Sequence, residues 1–105
     1  METFDLELRL TRFGSIISET VFLEDATDPS MEVKGWLSGA DYRFVQLPGY
    51  SIADSTLEIF LACRGIAGGS STCEVLINNH SAGKLTAKAE DTKYVSKSFK
   101  IKKSA

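Results

Sequence analysis

The sequence is poor in the residues that build most enzyme and metal sites, with one histidine and two cysteines among its 105 residues. A structural zinc site takes about four nitrogen or sulfur ligands, so these three residues do not complete a regular one. His80 is the only base available to a serine triad, and it lies in a polar turn where a solvated side chain is the simpler interpretation. Adjacent acids such as Glu24 and Asp25 diverge on extended backbone, which does not suit glycosidase chemistry. We therefore expect a non-enzymatic protein with no metal and no cofactor.

Long apolar runs are also missing. No stretch approaches the roughly 18 apolar residues that cross a bilayer, so we expect no membrane span. The first residues lack the basic region and the continuous apolar core of a signal peptide. This places the protein either in the cytoplasm or outside the cell after removal of a leader. The length suits a single domain that covers residues 1–105.

Charge is nearly balanced in total but divided along the chain. The net charge is −2, yet residues 1–60 carry eleven acids and four bases, whereas residues 61–105 carry three acids and eight bases. Seven lysines lie between Lys84 and Lys103. They suit either a solvated strand face or an anionic partner, including an acidic patch on a second copy. The negative total, with only Tyr94 and Phe99 as interleaved aromatics, argues against nucleic acid as the partner.

Period-two alternation is the main structural signal. Phe4, Leu6, Leu8 and Leu10 alternate with polar residues, which predicts a half-buried strand. A second apolar segment covers residues 16–23, and short segments separated by turn residues recur roughly every 12 residues after it. No helical period persists. The pattern predicts an all-β fold, an antiparallel β-sandwich of about eight strands that is either immunoglobulin/fibronectin-like or jelly-roll-like.

Residues 56–89 are interpreted as three strands joined by two hairpins. If Cys63 and Cys73 face each other across the first hairpin, the same register places Leu61 opposite Val75 on one apolar face. The two cysteines are then candidates for a disulfide. Two free thiols are the alternative, because the compartment decides which state persists.

The acidic loop at residues 24–30 invites a calcium hypothesis, because hard cations prefer several oxygen ligands. Its spacing matches no calcium-loop pattern. An Asx-turn before Pro29 explains Asp28 without a metal.

A third strand is predicted over residues 31–37, with Met31, Val33, Gly35 and Leu37 on one face. Trp36 then lies on the other face between charged residues. A tryptophan in that position is either packed under a loop or presented to a partner.

A fourth strand is predicted from Tyr42 to Leu47 and ends at Pro48-Gly49. Residues suited to binding are concentrated near the third and fourth predicted strands and in the last polar turn. Flat aromatic rings stack on the apolar faces of sugars, while amides and carboxylates hydrogen-bond their hydroxyl groups. The same residue types also form protein interfaces. Arg43 and Gln46 lie among them. The candidate ligand-binding residues are Trp36, Asp41, Tyr42, Tyr50, Asn78, Asn79 and His80.

Two short segments resemble known families. Gly-Tyr-Ser-Ile-Ala-Asp at residues 49–54, followed by a strand through Ile59-Phe60-Leu61, resembles the corresponding segment of the fungal immunomodulatory proteins. Residues 75–79 are similar to a strand and turn of small microbial β-sandwich lectins. The resemblance implies a fibronectin-like sandwich, a dimer and binding of cell-surface glycans. This chain departs from the first family because it lacks an amphipathic N-terminal helix.

Composition and resemblance together predict a non-catalytic, lectin-like module that recognises a glycan or glycoprotein. The alternative is a protein-interaction or homo-oligomeric assembly module with no sugar ligand, such as a homodimer formed by pairing of an exposed strand edge.

Overall fold

The computed structural model describes residues 2–52, 55–91 and 93–101. Ala53 and Asp54 of the immunomodulatory-like segment, and Lys102 and Lys103 of the lysine-rich end, lie outside the described residues. The described chain forms eight strands and one short 3₁₀ helix at Pro29–Met31, which confirms the all-β prediction. The strands are β1 (Glu2–Phe13), β2 (Ile16–Leu23), β3 (Leu37–Ser38), β4 (Arg43–Ile52), β5 (Thr56–Gly65), β6 (Ser70–Ile77), β7 (His80–Lys88) and β8 (Val95–Lys100).

The strands form two antiparallel sheets. Sheet A has five strands in the order β3-β4-β1-β6-β7, and sheet B has three in the order β2-β5-β8. Strands that follow each other in sequence, such as β1 and β2 or β5 and β6, often lie in different sheets. The chain therefore crosses repeatedly between two layers, and the sandwich is held together by pairings between distant segments.

The core lies between the inner faces of the two sheets. Leu8 of β1 and Leu57, Ile59 and Leu61 of β5 are completely buried. They stand at every second position of their strands, where the sequence pattern predicts inward-facing apolar side chains. Burial of each such side chain contributes about 1.5–3 kcal/mol.

The predicted hairpin between β5 and β6 is wrong. Strand β5 pairs with β2 and β8, whereas β6 pairs with β1 and β7. Leu61 therefore lies opposite Val21 in sheet B, and Val75 lies opposite Leu8 in sheet A. Leu61 and Val75 both face the core, as their alternation predicts. The glycine-rich residues 65–69, however, cross from sheet B to sheet A and do not form a hairpin turn within a single sheet.

The predicted cysteine pair is corrected together with the hairpin. Cys63 and Cys73 are both buried free thiols. The Cys63 thiol donates a hydrogen bond to the carbonyl of Ala87 (3.4 Å), and Cys73 lies opposite Leu10 in sheet A. Burial raises the pKa of both thiols, that of Cys73 to about 12. The two residues lie in different sheets, so no hairpin register joins them.

The predicted third strand is mostly wrong. Only its end belongs to β3, and Gly35 has a φ of 83°, which interrupts an extended backbone. Glu32 forms an isolated bridge to Phe22, and the Val33 amide donates to the Val21 carbonyl (2.8 Å). This segment therefore covers the outer edge of β2.

The second predicted hairpin, between β6 and β7, is confirmed. Ile77 lies opposite His80, which leaves a two-residue turn of Asn78 and Asn79. Both asparagines have positive φ (52° and 69°), as a type I′ turn requires. Asparagine adopts this conformation more readily than most residues. Strand β7 begins at His80, three residues earlier than predicted.

Candidate functional site

A β-bulge in sheet A creates the candidate site. The sequence predicts that the fourth strand ends at Pro48-Gly49, but β4 continues through both residues to Ile52. Pro48 has no N–H for the ladder, and Gly49 has a φ of 63°. The pairing of β1 with β4 shifts at this point, so that Asp5 is left out of the regular ladder. The Asp5 carboxylate accepts a hydrogen bond from the Gly49 amide (3.1 Å).

The β6–β7 turn is attached to the same bulge. The Asp5 amide donates to the side-chain oxygen of Asn78 (2.9 Å), and the Asn78 amide donates to the Asp5 carbonyl (2.8 Å). These bonds hold the turn beside β1. Three segments that are distant in sequence thus meet at Asp5.

An open groove of about 180 Å³ lies where these segments meet. It is smaller than the roughly 300–1,000 Å³ typical of sites for whole small molecules, so it suits one residue of a larger ligand lying on the sheet. Four of its six lining residues have polar side chains. The lining residues are Asp5, Leu6, Glu7, Gln46, Pro48 and Asn79.

Glu7 gives the groove its ionised acceptor. Its carboxylate accepts hydrogen bonds from the Arg9 guanidinium and from the Gln46 amide (3.1 Å). Burial raises the pKa of Glu7, but these hydrogen bonds and the Arg9 charge outweigh burial and hold the pKa below its usual value. A carboxylate has about four lone-pair positions. Within the part of the chain that the structure describes, no other side chain donates to it.

Aromatic rings continue the site along sheet A. The Arg9 guanidinium lies over the Tyr42 ring, 5.0 Å from its centroid. Tyr42 also packs edge-to-face against Phe44, which lies opposite Arg9 in the sheet. Carboxylate, amide, guanidinium and aromatic groups thus follow one another from Asp5 toward Tyr42. We call this arrangement the polar strip: Asp5, Glu7, Arg9, Tyr42, Phe44, Gln46 and Asn79.

Several predicted ligand-binding residues lie at or near the two ends of the polar strip. Asn79 lines the groove, and Asn78 anchors the bulge beside it. His80 is exposed and lines an adjoining depression with Asn78. At the other end, Tyr42 and the exposed Asp41 line a shallow depression of about 250 Å³.

Trp36 and Tyr50 are not among the residues that line the groove. Trp36 is half-buried against the core, and its indole N–H donates to the Val33 carbonyl (3.2 Å). Of the two alternatives for Trp36, the structure has the packed one. Tyr50 is half-buried and packs edge-to-face against Phe4, with ring centroids 5.8 Å apart. Burial, followed by the nearby charge of Glu24, raises the pKa of Tyr50.

Sequence reasoning missed Asp5, Glu7 and Arg9 as site residues. They are the polar residues that alternate with the leucines of the first strand. This alternation predicts that their side chains are exposed, but it does not predict which residues of another strand lie beside them. Gln46 lies opposite Glu7 only because β1 pairs with β4. The Pro-Gly pair inside an otherwise alternating segment is the one sequence signal for a bulge at this position.

A second carboxylate cluster lies between the sheets. The Glu19 side chain is only 1% exposed and accepts hydrogen bonds from Arg12 (2.8 and 2.9 Å), Arg43 and Ser71 (3.0 Å). Burial raises the pKa of Glu19, but the bonds from Arg12 and Ser71 and the two arginine charges outweigh burial and lower it. All of its roughly four acceptor positions are occupied. This cluster ties β2 to sheet A and is not open to a ligand.

The acidic loop contains Asx-turns of the predicted kind. Asp28 accepts hydrogen bonds from the amide and hydroxyl of Ser30 (3.0 and 2.7 Å), and Asp25 accepts equivalent bonds from Thr27. Within the described ranges, no group of three or more potential metal ligands occurs. The described part of the chain also contains no helix long and apolar enough to cross a bilayer.

Comparison with known proteins adds no family to this description. No family model, no curated protein and no solved structure matches the chain. The resemblance to fungal immunomodulatory proteins therefore stays an expectation from short segments.

Proposed function

We propose that the protein is a non-catalytic carbohydrate-binding module and that the glycan lies along the polar strip. The observation that carries this proposal is the Glu7 carboxylate, which lines the groove, is held ionised by Arg9 and Gln46, and accepts from no other side chain of the described residues.

The polar strip offers the groups that sugar recognition requires. Carboxylates accept hydrogen bonds from sugar hydroxyls, and the amide of Asn79 can donate and accept. Tyr42 and Phe44 provide rings for the apolar faces of sugars at the other end. A general acid for glycoside cleavage requires a raised pKa, whereas the pKa of Glu7 is lowered. The chemistry therefore favours binding without catalysis.

A glycan-array screen of the purified protein tests this function. We expect signal from oligosaccharides with the wild-type chain and at least a tenfold loss with Glu7→Gln, since a hydrogen bond to a charged group contributes about 1.5–3 kcal/mol. Glu58→Gln, on β5 in sheet B, is the matched control and should bind like the wild type. A blank array with folded protein, or equal losses in both variants, contradicts the proposal.

The distribution of charge favours assembly with a second copy as the other candidate function. Strand β7 carries Lys84 and Lys88, strand β8 carries Lys97 and Lys100, and the two strands meet where the Lys97 ammonium donates to the Lys84 carbonyl (3.3 Å). The acids of the loop after β2 lie at the opposite edge of sheet B. At the two edges of sheet B, the division of charge along the sequence is therefore also a division in space.

Salt separates the two functions. A basic edge paired with an acidic edge should dissociate between about 0.01 and 1 M ionic strength, over which the screening length falls from about 30 to 3 Å. Sugar binding through hydrogen bonds and stacking should change little. Analytical ultracentrifugation at both salt concentrations measures the first effect, and a monomer at low salt contradicts assembly.

A further inference from the structure

Three large apolar side chains are exposed at one end of the sandwich and have no place in the proposed glycan site. Phe13, Ile17 and Ile66 are 73%, 77% and 67% exposed. Phe13 is the last residue of β1, Ile17 lies at the start of β2, and Ile66 lies in the loop between β5 and β6. We call residues 13–17 and 65–69 the apolar tip.

The two loops of the apolar tip form one unit. The Ile66 amide donates to the Ser15 carbonyl (2.9 Å). The backbones approach so closely that a Cβ added at Gly65 would lie 2.2 Å from the Ser15 oxygen, and one added at Gly14 would lie 3.1 Å from the Cα of Gly69. Glycine is therefore needed at this crossing. The exposed side chains are thus held on a fixed support.

Much of the backbone in the second loop is already hydrogen-bonded. The Gly69 amide donates to the Ile66 carbonyl (3.0 Å), and the Gly69 carbonyl accepts from the Ala89 amide (3.0 Å). The Gly68 amide donates to the Glu90 carboxylate. Because unpaired polar groups are costly to remove from water, these bonds lower the cost of placing the loop in an apolar medium.

The exposed area is too small for a stable protein interface. The three side chains expose on the order of 400 Å², so an isologous contact between two copies buries about 800 Å² in total. Stable protein interfaces bury at least about 1,200 Å². A lipid surface needs no matching shape, and a few apolar side chains in the boundary between headgroups and acyl chains give weak, reversible attachment.

Charges around the apolar tip suit lipid phosphates. Arg64 and Lys88 are exposed, and within the described residues neither forms an ion pair. Two acids lie nearby and keep their charge, but each binds backbone and neither pairs with Arg64 or Lys88: Glu90 accepts from the Gly68 amide, and Asp91 accepts from the Lys88 amide (2.8 Å). We propose that the apolar tip inserts into the surface of a lipid bilayer, where Arg64 and Lys88 meet the phosphate groups.

Vesicle co-sedimentation of the full chain tests this interaction. The vesicles are phosphatidylcholine alone and phosphatidylcholine with phosphatidylserine. We expect the wild type to bind both, more strongly to the second, and the double variant Phe13→Ser/Ile66→Ser to bind at least tenfold more weakly. Leu37→Ser removes another exposed apolar side chain, 57% exposed on β3, and should bind like the wild type.

A fluorescence measurement tests insertion directly. In a Trp36→Phe background, Phe13→Trp places the single tryptophan in the apolar tip. Its emission should shift to the blue when vesicles are added, and brominated lipids should quench it.

Four outcomes overturn the proposal. The first three are that the wild type fails to bind vesicles, that the double variant binds as well as the wild type, and that brominated lipids do not quench the tryptophan at position 13. The fourth is concentration-dependent self-association that the double variant abolishes, since the occupant of the apolar tip is then a second copy.

Discussion

Glu19 and Glu7 both pair with arginine, yet they differ in exposure and in the number of hydrogen bonds that they receive. Glu19 is 1% exposed and receives four hydrogen bonds, two of them from Arg12. Glu7 is 14% exposed and receives two from side chains, with its remaining acceptor positions at a groove. An ion pair alone therefore does not distinguish a fully hydrogen-bonded carboxylate from one with fewer donors. The number of donors relative to acceptor positions does.

The two carboxylates also differ in what they join. Glu19 comes from sheet B, and its partners come from β1, β4 and β6 in sheet A. Glu7 and its partners all lie within sheet A. The Glu19 cluster therefore fixes one sheet on the other, whereas the Glu7 contacts orient side chains on one surface.

The largest expected effect is on the free energy of unfolding, which should respond differently to loss of the two carboxylates. Glu19→Gln leaves two arginines without their counter-charge between the sheets, and we expect the free energy of unfolding to fall by about 3 kcal/mol. Glu7→Gln, the matched variant, should lose about 1 kcal/mol or less because its pair is nearer solvent. Urea unfolding at neutral pH measures both. Equal losses would show that the two carboxylates are energetically alike.

A smaller effect should appear in the pH dependence. Because the pKa of Glu19 is lower in the folded than in the unfolded chain, its stabilisation is present above the unfolded value of about 4.3. It is lost as pH falls through the folded value. The gap in unfolding free energy between the wild type and Glu19→Gln should therefore narrow in acid. A gap that stays constant from pH 7 to acid contradicts this linkage.

The smallest expected effect concerns the two cysteines, whose thiols should not react in the folded protein. Cys63 and Cys73 are buried, and their raised pKa values leave little thiolate at neutral pH. We expect a thiol reagent to modify neither residue in the folded protein and both after unfolding in denaturant. Mass spectrometry under non-reducing conditions reads the result. Rapid labelling of the folded chain, or a disulfide found in the unfolded chain, contradicts the structure.

Local patterns predicted the strands well because burial imposes a period of two on each one. The alternation from Phe4 to Leu10 lies within β1, and the second predicted strand has the bounds of β2. The segment at 31–37 is an exception to this rule. Its alternation resembles a strand, but Pro29 begins a 3₁₀ helix and Gly35 has a positive φ, so the extended run never forms.

Partners between strands could not be predicted, because alternation is the same whichever neighbour a strand has. The glycines at 65–69 suit a hairpin and a crossing between sheets equally well. For the same reason the sequence indicated Asn78 and Asn79 as a turn but gave no sign that this turn lies beside Asp5. The groove exists only after β1 has paired with both β4 and β6.

The position of β1 inside sheet A has a consequence for synthesis of the chain. Both of its neighbours come from later segments, and the second of them ends at Ile77. As the ribosome makes the protein, this leucine-rich strand must wait until the residues up to Ile77 have been made before both of its neighbours are present. Pairings between such distant segments form slowly. We therefore expect the nascent protein to depend on chaperones that hold apolar strands until β6 has emerged.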